Sequence, residues 1–412
     1  MSQLVTIDPI TRIEGHLRVQ VEVENGKVKD AWTSGTLFRG LEIILRGRKA
    51  EDAWLITQRA CGVCPIPHGM ASSMSIEDAY KIKIPDNARL IRNLAYGFQW
   101  INSHILHFYH LTALDYVDVT AVAKYNGNDP ALQDVKSLIA AGDTAPFTPR
   151  YGVDFRLPTE VNIAAVAHYV EALRIYRRAN EAFALVGAKF PHMMTAVPGG
   201  VTVKVTSELI TQLTGYAKEM LDLIETKYIP DVLAVASYYS DYGKIGAGCG
   251  NFLSWGAFPD ASGDPKSQLL PRGVIMNGEI GNVQDADPEK VTEHVKWSWF
   301  KDETNALSPK EGATEPEFTG LPERSADGKY SWLKAPRYDG KPMEVGPLSR
   351  MLVRQDKALL DLAKKLNIGP SVLARHAARA LEAKVVAEAM LQWLSELDPS
   401  KPTFTPYEPG TA

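Results

Sequence analysis

Between residues 16 and 34 apolar and polar positions alternate on either side of Asn25-Gly26, in HLRVQVEVENGKVKDAW. A period of two is that of a strand with one buried face, and Asn-Gly suits a two-residue turn, so the pattern predicts a β-hairpin. From Leu41 the period lengthens. LEIILRG, EDAWLITQRA, GMASSMSIEDAYKI and the stretch from Asn87 to Tyr109 carry apolar residues three and four apart, which predicts helices. Residues 126–157 are rich in Gly, Pro and Asp and read as a surface excursion, with a helical turn near 131–136. Pro158 to Val186 and Ser207 to Ser237 are long amphipathic segments, the length that builds a bundle. Residues 241–345 break into short Gly- and Pro-rich pieces with strand-like scraps such as RGVIMNGEI. A last helical stretch runs from Arg354 to Leu397, and DPSKPTFTPYEPGTA then reads as an extended or frayed tail.

These elements predict a mainly α (α+β) fold: a long-helix bundle core, a small N-terminal β-hairpin region and an irregular mixed region around 241–345. The expected divisions are 1–50 for the hairpin region, 51–240 for the bundle, 241–350 for the mixed region, 351–397 for C-terminal helices and 398–412 for the tail.

Composition narrows the function classes. The chain has 412 residues, 45% hydrophobic and 23% charged, with a formal net charge of -4. That is a globular composition, and without a basic block it carries no electrostatic footprint for nucleic acid. The N-terminal residues MSQLVTIDPITRIEGH show no export signal, and no apolar run reaches the roughly 18 residues of a membrane span. Three cysteines in so long a chain do not form a disulfide framework.

Two of the three stand close together, in RACGVCPIPH from Arg59 to His68. Two intervening residues let Cys61 and Cys64 reach one cation, Gly62 permits the tight backbone, and a helix beginning near His68 turns its positive end towards the sulfurs. Against a metal clamp, a redox dithiol, half of a zinc site and a chance surface pair all compete for this spacing. A thioredoxin-like site needs βαβ flanks, whereas these flanks are helical. A structural zinc needs four ligands, and no second CxxC or HxxxH is present. Cys249, in GAGCGNF, reads as a thiol in a Gly-rich turn. His104, His107 and His110 spread over about 120° of a helix, which suits packing and buried hydrogen bonds better than one metal. The ordinary use of Glu42 is an ion pair with Arg46 one turn on.

The residues around the pair resemble the large, catalytic subunit of NiFe hydrogenases. The likeness starts at DPITRIEGH, Asp8 to His16, and continues through FRGLEI, Phe38 to Ile43, then RACGVC with His68, then SHILHFYHL from Ser103 to Leu111. It recurs at GGVT from Gly199, NFLSWG from Asn251 and YDGKPMEVGPLSR from Tyr338 to Arg350, and so covers about residues 5–397. The resemblance implies H2 ⇌ 2 H+ + 2 e− at a nickel–iron centre whose iron carries cyanide and carbon monoxide. By the same resemblance Cys61 is a terminal nickel ligand and Cys64 a thiolate bridging nickel and iron, soft donors suited to such metals. His68 hydrogen-bonds the bridging sulfur, Glu14 is the first proton relay, and Glu42 is a ligand of a magnesium-type ion.

The pattern departs from the family at its end. Members supply an arginine and then a second pair in Asp-Pro-Cys-x-x-Cys-x-x-His, of which Asp398-Pro399-Ser400 is only an accidental echo. Position 103, an aspartate in many members, is Ser103. The expectation is therefore a split large subunit, its second CxxC brought by a separate C-terminal fragment, with a small iron–sulfur subunit taking the electrons. The alternative is a metal-free, truncated or relic scaffold, similar to the quinone-site subunit of respiratory complex I. No compartment follows: the protein is cytoplasmic, or exported with a signal-bearing small subunit.

Overall fold

The computed structural model describes residues 2–145, 147, 153–320 and 328–408, and they fall into two compact units. The first comprises Met1–Arg48 and Asp285–Glu344. Strands β1 (Gln3–Ile7), β2 (Leu17–Glu24) and β3 (Lys27–Gly35) form an antiparallel sheet in that order. The hairpin turn is where the alternation placed it: Asn25 and Gly26 have φ of 52° and 73°, the left-handed pair that Asn-Gly adopts most readily. β1 was not expected. It pairs with β2 through its backbone and shows no alternating buried face. After the one-turn helix α1 (Leu41–Leu45), the later part of this unit pairs Val291–His294 with Ala335–Tyr338. Its interior is aromatic: Phe38 stacks on Trp332 at 4.8 Å and Trp299 meets Trp332 at 5.2 Å.

The second unit, Lys49–Gln284 with Val345–Ala412, holds the bundle. In chain order its helices are α2 (Ala53–Thr57), α3 (Pro65–Tyr80), α4 (Asp86–Ile105), α5 (Pro130–Ala140), α6 (Thr159–Gly187), α7 (Ser207–Leu223) and α8 (Ile229–Tyr238). These are followed by α9 (Pro347–Val353), α10 (Lys357–Leu366) and α11 (Val372–Glu396). α4 is the axis and packs against α6 and α11. It buries Leu90, Ile91, Leu94, Phe98, Ile101 and Ile105, while α11 presents Ala380, Ala383, Val386 and Ala387, small enough for close approach. Gly97 is required there, since a Cβ would lie 2.6 Å from Met390 Sδ.

Three features differ from the sequence expectation. The excursion holds an eleven-residue helix, α5, because Asp129 accepts from the Ala131 N–H (2.9 Å) and Pro130 presets its first turn. Two long helices change pitch: α4 runs into π-helical Leu106–Thr112, and α7 reaches α8 through π-helical Ile224–Tyr228. The tail is anchored by hydrogen bonds as far as Thr405. Thr403 O accepts from Val201 N (2.8 Å), Thr405 N donates to Gly199 O (2.9 Å), and Asn87 Nδ2 donates to Asp398 O (2.8 Å) and Lys401 O (3.1 Å). Residues 409–412 lie outside the described residues. No described helix is long and apolar enough to cross a membrane.

Candidate metal centre

The cysteine loop lies where α2 hands over to α3. A 3-10 turn, Gln58–Ala60, leads to Cys61, and Cys64 occupies the N-cap position of α3, with Pro65 at its first helical residue. The backbone curls round Cys61: Val63 N and Cys64 N both point at its Sγ, at 3.3 and 3.0 Å. Such N–H groups offset negative charge on a metal-bound sulfur. Cys61 is 5% exposed and Cys64 half-buried. His68, one turn into α3, brings Nε2 to 3.9 Å from Cys64 Sγ, within reach of a weak hydrogen bond to sulfur.

Three side chains that sequence reasoning missed hold this loop. Gln99 of α4, 3% exposed, accepts from Ile66 N (2.9 Å) and donates to Val63 O (3.2 Å). Gln58 donates to Trp54 O (3.3 Å) and Met193 O (3.0 Å), in a space open only because residue 69 is glycine: a Cβ there would lie 2.7 Å from Gln58 Cγ. Thr57 Oγ1 donates to His68 O (3.3 Å), tying α2 to the histidine's own turn. The far half of α3 is pinned by a buried ion pair. Arg92 of α4 grips Glu77 at 2.6 and 2.9 Å, and the same guanidinium donates to Val197 O and Gly200 O.

A second buried assembly lies along α4, α9 and α11. Glu382, fully buried, accepts from Arg350 Nε (2.7 Å) and Nη2 (2.8 Å), Trp100 Nε1 (3.0 Å) and His104 Nε2 (2.6 Å). Burial alone would raise its pKa, but the Arg350 charge and the bonds from Arg350 and His104 reverse that and hold it at about 2. Burial drives His104 the other way, down, so it donates to Glu382 as a neutral ring. Tyr96 links this assembly to the cysteines: burial pushes its phenol up, the Arg350 charge opposes, and Glu382 and Cys64 both add to the rise. His107 is half-buried and His376 buried, and desolvation with the Arg379 charge nearby pushes them down to about 3 and about 4.

The other sequence-predicted residues lie elsewhere. Glu14 is exposed on the loop between β1 and β2, and Glu42 is exposed in the first turn of α1, both in the first unit. The expected Glu42–Arg46 pair does not form among the described residues. α1 ends at Leu45, and Arg46, in extended backbone, donates instead to Thr314 O (3.3 Å). Cys249 is exposed and its Sγ lies 3.5 Å from Asn251 O. Among the described residues no cluster of three or more His, Cys, Asp or Glu is arranged to hold a metal. The loop offers two sulfurs, donors of the kind that soft metals take, and among the described residues no further His, Cys, Asp or Glu stands with them to complete a metal site.

Comparison with known proteins agrees with that chemistry. Residues 39–404 match the family described as nickel-dependent hydrogenase, and residues 4–34 one described as HoxL-like. The Hydrogenase-2 large chain of Escherichia coli K12 is 38% identical over 404 residues, covering 89% of this chain and 70% of that one. The periplasmic NiFeSe hydrogenase large subunit of Desulfomicrobium baculatum is 37% identical, covering 98% and 77%. Among solved structures, the Ni-Fe-Se hydrogenase from D. vulgaris Hildenborough superposes with a TM-score of 0.85 at 40% identity, covering 100% of this chain and 82% of that one.

Proposed function

This chain belongs to the nickel-dependent hydrogenase family, and from that membership we propose that it works in a hydrogenase catalytic subunit, as H2 ⇌ 2 H+ + 2 e−. The observation that carries the reading is the thiol pair on its clamped loop, with His68 Nε2 3.9 Å from Cys64 Sγ. When bound, a nickel–iron centre, its iron carrying cyanide and carbon monoxide, supplies the cleavage of H2. Cys61 and Cys64 would hold it, and His68 would donate its ring N–H to the Cys64 sulfur. Glu14 takes up a proton on its carboxylate and passes it to water, and Glu42 gives an oxygen to a magnesium-type ion.

The electrons go to a small iron–sulfur subunit, because three cysteines cannot hold clusters of their own. The test is hydrogen-dependent dye reduction by the natively purified complex. Cys61→Ser and Cys64→Ser each abolish it on this reading. Undiminished activity in either variant contradicts the reading. A metal-free scaffold, the alternative, predicts no hydrogen-dependent activity even in the unaltered protein.

A further inference from the structure

We propose that Gln99 is a positioning residue for the Cys61–Cys64 pair, one that makes the two sulfurs inequivalent. The inference rests on the metal-site reading for its purpose and on the loop geometry for its substance. A helix leaves its first N–H groups without intrahelical acceptors, and a Ser, Thr, Asp or Asn at the N-cap normally supplies one. At α3 the N-cap is Cys64, and no side-chain cap bond forms there. A thiol committed to a metal cannot serve as the cap. The task is taken over by a side chain 33 residues away in sequence: Gln99 Oε1 accepts the Ile66 N–H at 2.9 Å.

The other end of the same amide fixes the residue between the cysteines, since Nε2 donates to Val63 O at 3.2 Å. One rigid planar group therefore spans Cys64 from both sides along the chain, gripping residues 63 and 66. Its orientation is not arbitrary. Exchanging amide nitrogen and oxygen would set donor against donor at Ile66 and acceptor against acceptor at Val63.

Two consequences follow for the sulfurs. The Ile66 N–H, which opens the first turn beside Cys64, is drawn to Gln99. Val63 is held so that its own N–H, with that of Cys64, points at Cys61 Sγ at 3.3 and 3.0 Å. Two backbone donors are thus aimed at Cys61, while His68 Nε2 lies 3.9 Å from Cys64 Sγ. Gln99 is itself buried on the inner face of α4 between the core residues Phe98 and Ile101, so it cannot swing away to solvent.

The test uses the full chain produced without nickel. Each cysteine's alkylation rate is read by peptide mass spectrometry, and Cd2+ affinity by the thiolate charge-transfer band. Gln99→Leu keeps the bulk and loses both bonds. Gln99→Glu keeps an acceptor for Ile66 and loses the donor to Val63, and it decides the matter if the leucine variant does not fold. The expected result is a change of about fivefold in the Cys61:Cys64 rate ratio, the worth of one hydrogen bond, and Cd2+ binding weakened about tenfold. An unchanged ratio and unchanged Cd2+ affinity in a folded variant, with or without a lower melting temperature, overturns the proposal and leaves Gln99 a packing residue. Failure of the unaltered chain to bind Cd2+ counts against the metal-site reading alone, because the alkylation ratio is measured without metal.

Discussion

The two thiols of the loop stand in different surroundings, two backbone N–H groups at Cys61 and an imidazole at Cys64. His68→Ala removes only the imidazole from an otherwise intact turn. Turnover in hydrogen-dependent dye reduction is expected to fall about 10- to 100-fold with the melting temperature unchanged, the usual effect of losing a ligand's hydrogen-bond partner. Glu382 makes the opposite prediction, since it serves stability. Glu382→Gln leaves the half-buried Arg350 without its counter-charge and should cost about 2–3 kcal/mol in urea unfolding at pH 7, less than for a fully buried pair. The folded pKa of Glu382, about 2, lies below the ordinary 4.5. Its contribution is therefore full above pH 4.5 and lost as pH falls towards 2, so the gap between the two proteins should narrow across that window. At this scale the sequence told half the story. Cys61, Cys64 and His68 were legible because spacing and neighbours mark them. Gln99 and Glu382 were not, because their partners lie 33 and 278 residues away. Arg92, Asn93, Gln99 and Asn102 all fall on the buried face of α4, and such polar residues on an apolar stripe were the available signal.

Among the elements, the hairpin and long helices followed from periodicity, whereas the π-helical turns and the tail's anchoring did not. A residue spacing of three or four reads the same whether the backbone bonds are α or π. The tail binds through main-chain groups, to which side-chain patterns are blind. Gly200 marks that contact: at φ 140° it leaves room for the Thr403 carbonyl oxygen, with which an added Cβ would collide. Gly200→Ala is expected to cost about 2 kcal/mol or more in urea unfolding and to expose residues 398–408 to limited proteolysis. The π-helical stretch carries His107, and His376 comes from α11, their rings 6.3 Å apart. Burial and the Arg379 charge depress both, His376 to about 4 against an ordinary 6.5. Folding thus favours the neutral rings. Stability is full above pH 6.5 and falls as pH drops through the window to about 4, by up to about 1.4 kcal/mol per pH unit for each histidine. His376→Gln should flatten that slope in urea unfolding followed against pH. An unchanged slope would assign it to other groups.

For the whole molecule, fold class was legible because long amphipathic segments take up far more of the chain than the short strands do, and the bundle follows from them. The two-unit organisation was less so, since the first unit joins Met1–Arg48 to Asp285–Glu344 across 236 intervening residues, Lys49–Gln284, that belong to the second. The donor count is likewise a property of the whole assembly. A loop with two thiolates has a use as a metal site only if other donors meet it. The measurement that bears on this most directly is nickel and iron content of the natively purified protein, compared with that of the Cys61→Ser variant. Near-stoichiometric nickel and iron, lost in the variant, are predicted. A natively purified protein that binds neither metal would contradict the metal-site reading.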